Sequence, residues 1–259
     1  MQPADGIATY SMTVSYDGAP FSGFACQLGR STVQGCLEEA LALLFKDEIP
    51  TVCAGRTDAG VHALGQVVSF NVNREACKER SLDSLCRSLN ALTPDEISVR
   101  QLVERPEGFS ARFSAKCREY RYFIAVGSTP PIFMRAYSWH VRKSLDRAAM
   151  EAGAAHLIGE HDFKSFCLSA SAEGKPTCRN VIEISFDDAT IMGEPMLVVT
   201  VKGNAFLQSM VRTIVGTLVA VGKGQRPSGW VADVLAACDR RAAGECAPAQ
   251  GLVFWSVVY

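Results

Sequence analysis

In the stretch CAGRTDAGVHALGQ, residues 53–66, one carboxylate, Asp58, stands between an Arg-Thr pair and an Ala-Gly, within a frame of Gly55, Gly60 and Gly65. An ordinary surface turn could use Asp and Gly here, because both tolerate unusual backbone angles. A turn does not account for Arg56, for His62, or for the apolar run VVSF that follows. Two further features could do chemistry. Arg212 is the only charge between Gly203 and Gly222. A guanidinium in so apolar a helix should face a carboxylate or a phosphate; the bland alternatives are a surface position or a structural acid as partner. In Arg118-Glu119-Tyr120-Arg121-Tyr122, strand alternation puts Tyr120 and Tyr122 on one face. Aromatics beside basic residues suit stacking on a base next to phosphate contacts, while a sheet-packing role is open to either tyrosine.

Other chemistries lack their residues. Gly216 to Lys223 has five residues between its glycines and no Ser or Thr after the lysine, so it is not a phosphate loop. No G-x-G-x-x-G follows a strand and no G-x-S-x-G occurs. Asp58 has no acidic neighbour in its segment, which removes paired-carboxylate glycoside hydrolysis. None of the ten cysteines is spaced C-x-x-C. They read as small hydrophobes in a reducing cytoplasm rather than as zinc ligands. His156, His161 and Asp162 fall in HLIGEHDF, which reads as a helix end with Gly159 near its C-cap rather than as a ligand set. The 259 residues carry a net charge of -1. No bulk positive field announces nucleic acid, yet a basic cleft balanced by acid elsewhere remains compatible with it. The opening MQPADGIATY has no signal-peptide pattern, and Gly203–Gly222 carries too many polar residues for a membrane span.

The elements that would position these residues follow from periodicity. Residues 7–16 read as a strand, and Ser31 with Gln34 fits a capping box before a helix bearing Val33, Leu37, Leu41 and Leu44. TVCAG and QVVSFNV read as strands; Ser81 caps a helix stopped by Pro94, and ISVRQLVE is a strand. The second half repeats this order, with a strand over 118–126, a helix from Ser144 to Leu157, strands NVIEISFDD and MLVVTVKG, and a buried helix over 204–221. A further helix capped by Ser228 and a last strand, LVFWSVVY, close the chain; SASAEGKPT, residues 169–177, is a polar loop. Two β-α-β-β-α-β halves, residues 1–106 and 107–259, predict an α+β protein of two ferredoxin-like units with a largely antiparallel sheet flanked by helices.

CAGRTDAGVHALGQVVSF resembles the signature segment of the bacterial tRNA pseudouridine synthase A family. YDGAPFSGF, NALTPDEISV, ARFSAKCREYRYFI, LIGEHDFKSF, CRNV and NAFLQSMVRTIVG resemble further blocks of that family, in its order. The resemblance implies a cytoplasmic isomerase that converts uridine to pseudouridine at positions 38, 39 and 40 of the tRNA anticodon stem-loop. It implies a homodimer, no metal and no organic cofactor. It places Asp58 on the catalytic aspartate and Tyr120 on the tyrosine that packs against the target uracil. Arg212 matches the basic partner of the aspartate, and Arg56 an arginine that holds the flipped nucleotide. The chain departs from the family at Phe24-Ala25, where Trp-Gln is usual, and at Gln208-Ser209, where His-His is usual. The competing class is a catalytically silent tRNA-binding protein or chaperone on the same fold; the complete Asp58, Tyr120 and Arg212 set weighs against it. Basic residues near the expected site, Arg56, Arg112, Lys116, Arg118, Arg121, Arg142, Lys143, Lys202 and Arg212, predict phosphate contacts on an otherwise neutral body.

Overall fold

The computed structural model describes residues 6–77, 80–168 and 174–259; the first five residues, and residues 169–173 of the expected polar loop, lie outside the described residues. The protein is a mixed α/β chain that forms two compact units, Met1–Lys116 with Phe254–Tyr259, and Cys117–Val253. This division falls beyond the half boundary expected at 106/107. Residues 107–116 pack with the first unit through Ala111, whose N–H donates to Ser69 Oγ (3.0 Å) and whose carbonyl accepts from the Tyr259 hydroxyl (2.9 Å).

In the first unit the elements run β1 (Ile7–Tyr16), α1 (Val33–Phe45), β2 (Thr51–Cys53), β3 (His62–Asn73), α2 (Leu82–Leu92) and β4 (Ile97–Arg105). β1 lies antiparallel between β3 and β4, so its side chains are buried on both faces apart from its first residue and Thr13. β2 pairs with β3 at the Phe70–Val68 end of its register. The α1 stripe is as expected, with Val33, Leu37 and Leu41 buried. Its cap is not. Thr32, one residue on from Ser31, is the N-cap, and its side chain accepts the Gly35 N–H. Gln34 turns instead to Glu38 Oε1 (2.9 Å), because that carboxylate also holds the start of β2 through Thr51. Ser81 caps α2 as expected.

The second unit runs β5 (Cys117–Val126), β6 (Trp139–Val141), α3 (Arg147–Ala155), β7 (Gly159–Asp162), β8 (Cys178–Ile191), β9 (Glu194–Gly203), α4 (Met210–Gly222) and α5 (Trp230–Ala237). β5, β9, β8 and β7 pair antiparallel in that order, and β6 joins β5 parallel. The last strand, β10 (Leu252–Val258), begins in this unit and ends in the first. Four expectations are corrected. α3 starts at Arg147 with Asp146 as its cap, and closes at His156. Gly159, with φ +105, therefore opens the short strand β7 rather than capping the helix. α4 starts at Met210, not at 204, because Ser209 adopts φ 59 and ends the possibility of helix before it. α5 is capped by Gly229 without a side-chain bond, not by Ser228. α4 is buried on nearly every side, and among the described residues no helix is long and apolar enough to cross a membrane.

Candidate active site

Asp58 sits in the connection between β2 and β3. Its carbonyl accepts the Val61 N–H (3.1 Å), closing a turn whose third residue, Gly60, has φ +76. That angle in that position is the glycine-requiring one of a type II turn. The turn is gripped from both ends. Gln66, 0 % exposed, donates from Nε2 to the Gly55 carbonyl (2.6 Å) and accepts the Gly55 N–H at Oε1 (3.3 Å). A buried amide thus substitutes for a strand partner at the loop entrance.

The segment YDGAPFSGF forms the cradle. The Tyr16 hydroxyl lies 2.8 Å from Thr57 Oγ1, and Phe24 N–H donates to the Thr57 carbonyl (3.1 Å). Burial pushes the Tyr16 phenol upward, against the pull of Thr57 and Gln66, so it stays protonated. A Cβ on Gly18 would stand 2.1 Å from the Val61 carbonyl oxygen, and one on Gly23 3.1 Å from that of Thr57. Backbone therefore touches backbone on both sides of Asp58. Gly18 N–H donates to His62 Nδ1 (3.1 Å). Asp17 Oδ1 is as close to that nitrogen, and becomes its partner only when the ring is protonated there. Asp58 itself is half-buried and Arg56 is exposed. Cys53 is pushed up to about 11 by burial, with Arg56 and Arg112 pulling it down, which puts both guanidiniums within electrostatic reach of the start of this loop.

In the second unit, Tyr120 on β5 is 6 % exposed and meets Phe206 edge-on, with ring centroids 5.2 Å apart. Phe206 belongs to the turn before α4, which is tied at its start. Asn204 N–H donates to the Asn180 carbonyl (3.0 Å) and Asn204 Oδ1 accepts the Asn180 N–H (3.0 Å). The buried Arg118 donates to the Asn204 carbonyl. CREYRY, CRNV and NAF are thus one packed cluster, a juxtaposition that strand and helix periodicity did not reveal. Tyr122 is a core residue: its hydroxyl donates to the Pro248 carbonyl (2.8 Å), and a Cβ on Gly251 would fall 2.5 Å from its ring.

Arg212, half-buried on α4, donates from Nε to the Ala247 carbonyl (2.8 Å), while its own carbonyl accepts the Ala247 N–H (3.1 Å). The segment around Ala247 reaches the helix because Gly216 has no side chain; a Cβ there would lie 1.9 Å from the Glu245 carbonyl oxygen. The stem of Arg212 is therefore aimed by backbone. Burial pushes Tyr122 upward and Arg212 pulls it down. Two of the cations expected at phosphates already face carboxylates: Lys202 Nζ is 2.9 Å from Glu183, and Arg121 Nε is 2.8 Å from Glu119. Arg56, Arg112, Lys116, Arg142 and Lys143 are exposed.

The chain matches the family described as tRNA pseudouridine synthase over residues 12–114 and 154–259. It belongs to that family. It is 44% identical to tRNA pseudouridine synthase A of Bacillus subtilis (strain 168) over 249 residues, covering 95% of this chain and 97% of the relative. It is also 44% identical to the protein of that name from Brevibacillus brevis, over 95% of this chain and 97% of the relative. To the one from Legionella pneumophila (strain Lens) it is 40% identical, over 96% of this chain and 92% of the relative. The chain is an isomerase of this family. Asp58, Arg56 and Arg212 fall inside the matched residues, as do Tyr16, Gly18, Gly23, Gln66, Asn180, Asn204 and Phe206; Tyr120 lies between the two matched segments. The cradle residues were not singled out from sequence. The signal for them was the glycine pair in YDGAPFSGF, whose purpose shows only when its backbone lies against the Asp58 turn.

Proposed function

We propose that this enzyme isomerises uridine to pseudouridine at positions 38, 39 and 40 in the anticodon stem-loop of tRNA, with Asp58 as its one nucleophile and no cofactor. Family membership supports uridine isomerisation in tRNA. The observation that carries the assignment of Asp58 is its turn: a half-buried carboxylate in a loop held on both sides by backbone.

The reaction breaks the bond from uracil N1 to the ribose, turns the base, joins C5 to the same carbon and releases the C5 proton. Nothing is oxidised or hydrolysed, so one ionised carboxylate suffices. Attack on the ribose carbon, attack on C6 and removal of a ribose proton all require that charge. A guanidinium is the natural partner of an ionised carboxylate. This is the role assigned to Arg212, whose Nε is already fixed by Ala247. The target base must leave its stack before a carboxylate can reach it. Tyr120, held by Phe206, packs against the uracil, and the exposed Arg56 holds the flipped nucleotide. On this reading each unit is a ferredoxin-like half, the enzyme is a homodimer, and it works in the cytoplasm.

The test is tritium release from tRNA labelled with [5-³H]uridine, by purified protein without added cofactor. Release confined to transcripts with uridine at positions 38 to 40 is expected. Silence on a full set of anticodon stem-loops, with tRNA still bound, would replace the isomerase by a tRNA-binding protein or chaperone.

A further inference from the structure

Exposed apolar side chains scattered singly over a surface are ordinary. Phe113 is not of that kind. The residue is 80 % exposed, and the Arg112 guanidinium lies over one face of its ring, 5.2 Å from the ring centre. The turn that presents it is stiff. Ser114 N–H donates to the Ser110 carbonyl (3.0 Å), Ser110 N–H to Ser114 Oγ (3.1 Å) and Phe113 N–H to Ser110 Oγ (3.4 Å). The adjoining Ala111, 0 % exposed, is pinned by Ser69 and by the Tyr259 hydroxyl. Lys116, three residues on, is exposed, and its N–H is tied to the Val258 carbonyl (2.8 Å).

A large apolar ring left in water on a hydrogen-bonded turn gains nothing for the fold. It does suit a planar, π-faced ligand carrying negative charge nearby, because the ring supplies the stack and the adjacent cations meet phosphate. The same unit carries the Asp58 loop, and Arg112 acts electrostatically on Cys53 together with Arg56. We infer that Phe113 and Arg112 form a stacking platform for an unpaired base of the RNA substrate, separate from the flipped uridine, with Arg112 and Lys116 on the flanking phosphates. The inference rests on the tRNA reading above and adds to it a positioning residue.

The experiment measures binding of a tRNA transcript to the full chain across a salt series, for the parent, Phe113→Leu, Phe113→Trp and Arg112→Ala. Removing the stack of a base on one aromatic side chain is expected to weaken binding by Phe113→Leu about tenfold. The ring is uncharged, so the slope of log affinity against log salt should not change in Phe113→Leu. Phe113→Trp should return binding to within about twofold of the parent, an outcome a merely structural role would not give. Arg112→Ala should lower the salt slope by about one. Binding by Phe113→Leu equal to the parent's overturns the platform, as does a Phe113→Trp no better than Phe113→Leu. A parent that neither binds tRNA nor releases tritium overturns the tRNA reading itself.

Discussion

The segment around Asp58 and the segment around Arg212 hold their key side chains by different means. Asp58 is placed by steric closeness. Gly18 and Gly23 let neighbouring backbone reach the turn, and Gln66 grips its entrance. Arg212 is placed by a polar contact of its own side chain, the bond from Nε to the Ala247 carbonyl, and backbone closeness enters only at Gly216, which lets the Ala247 segment reach the helix. The carboxylate site should therefore fail when atoms are added around it. The arginine site should fail when the guanidinium's shape is changed, even with its charge kept.

The largest effect is expected at the reacting group. Asp58→Asn should lower the turnover rate on the order of 10³-fold or more, while tRNA binding stays within a few-fold of the parent. Tritium release and filter binding on the same preparations check this; equal turnover in variant and parent would remove Asp58 from the chemistry.

Gly18→Ala tests the steric half of the comparison. The new methyl would stand 2.1 Å from the Val61 carbonyl oxygen, so the Asp58 turn must move. A displacement near 1 Å at a reacting group costs on the order of 10²-fold in rate, and overpacking of this kind destabilises by roughly 1–3 kcal/mol. Gly229→Ala is the control, since a Cβ there meets nothing within 4 Å. It should leave rate and melting temperature almost unchanged. If the two variants behave alike, the cradle does not position Asp58.

Arg212→Lys tests the polar half. The ammonium keeps the charge but cannot make the Nε bond to Ala247 while presenting a fork. A loss of about tenfold in turnover is expected, the rate equivalent of about 1.4 kcal/mol, with the melting temperature nearly unchanged. Full activity in the lysine variant would mean that charge alone suffices there.

The smallest effect is the share of Cys53, on the Asp58 side, in the loss of stability at alkaline pH. Cys53 is raised from an ordinary 9.0 to about 11 by burial. Below pH 9 its thiol is neutral in both folded and unfolded chains, so it has no influence. Between about 9 and 11 the unfolded chain loses the proton and the folded one keeps it, so stability falls as pH rises. Cys53→Ala should flatten that decline, read from urea unfolding at pH 8 and pH 10. Tyr16, also raised by burial, acts in the same direction above its ordinary 10.0 and keeps part of the slope. An identical slope in parent and variant would show that Cys53 titrates as an exposed thiol.

Local pattern in the sequence was enough to single out Asp58, Arg212 and the Tyr120–Tyr122 strand and to give the order of the long elements; the family resemblance chose Tyr120 and gave Arg56 its role. Leu37 and Leu41 on α1, and the Ser81 cap before α2, follow from spacing within a few residues. Such signals are local because helix periodicity and capping depend on neighbours three or four positions away. What escaped was decided over longer distances. β6 and β7 are too short to show a period and exist because β5 and β8 offer edges to them. The start of α4 was displaced by the left-handed Ser209, in a turn anchored at Asn204 by Asn180 and Arg118. Lys202 looked like a phosphate ligand until Glu183 stood against it, since a cross-strand partner is fixed only once β8 and β9 align; Glu119 and Arg121, two apart on one strand, share a face by alternation alone and could have been paired from the sequence. Gly18 and Gly23 were only turn-like residues in the chain. The need for glycine at Gly18 arises where another backbone segment, far away in sequence, comes too close for a Cβ, and that closeness exists only in the folded protein; Gly23 adds a φ of +104 of its own.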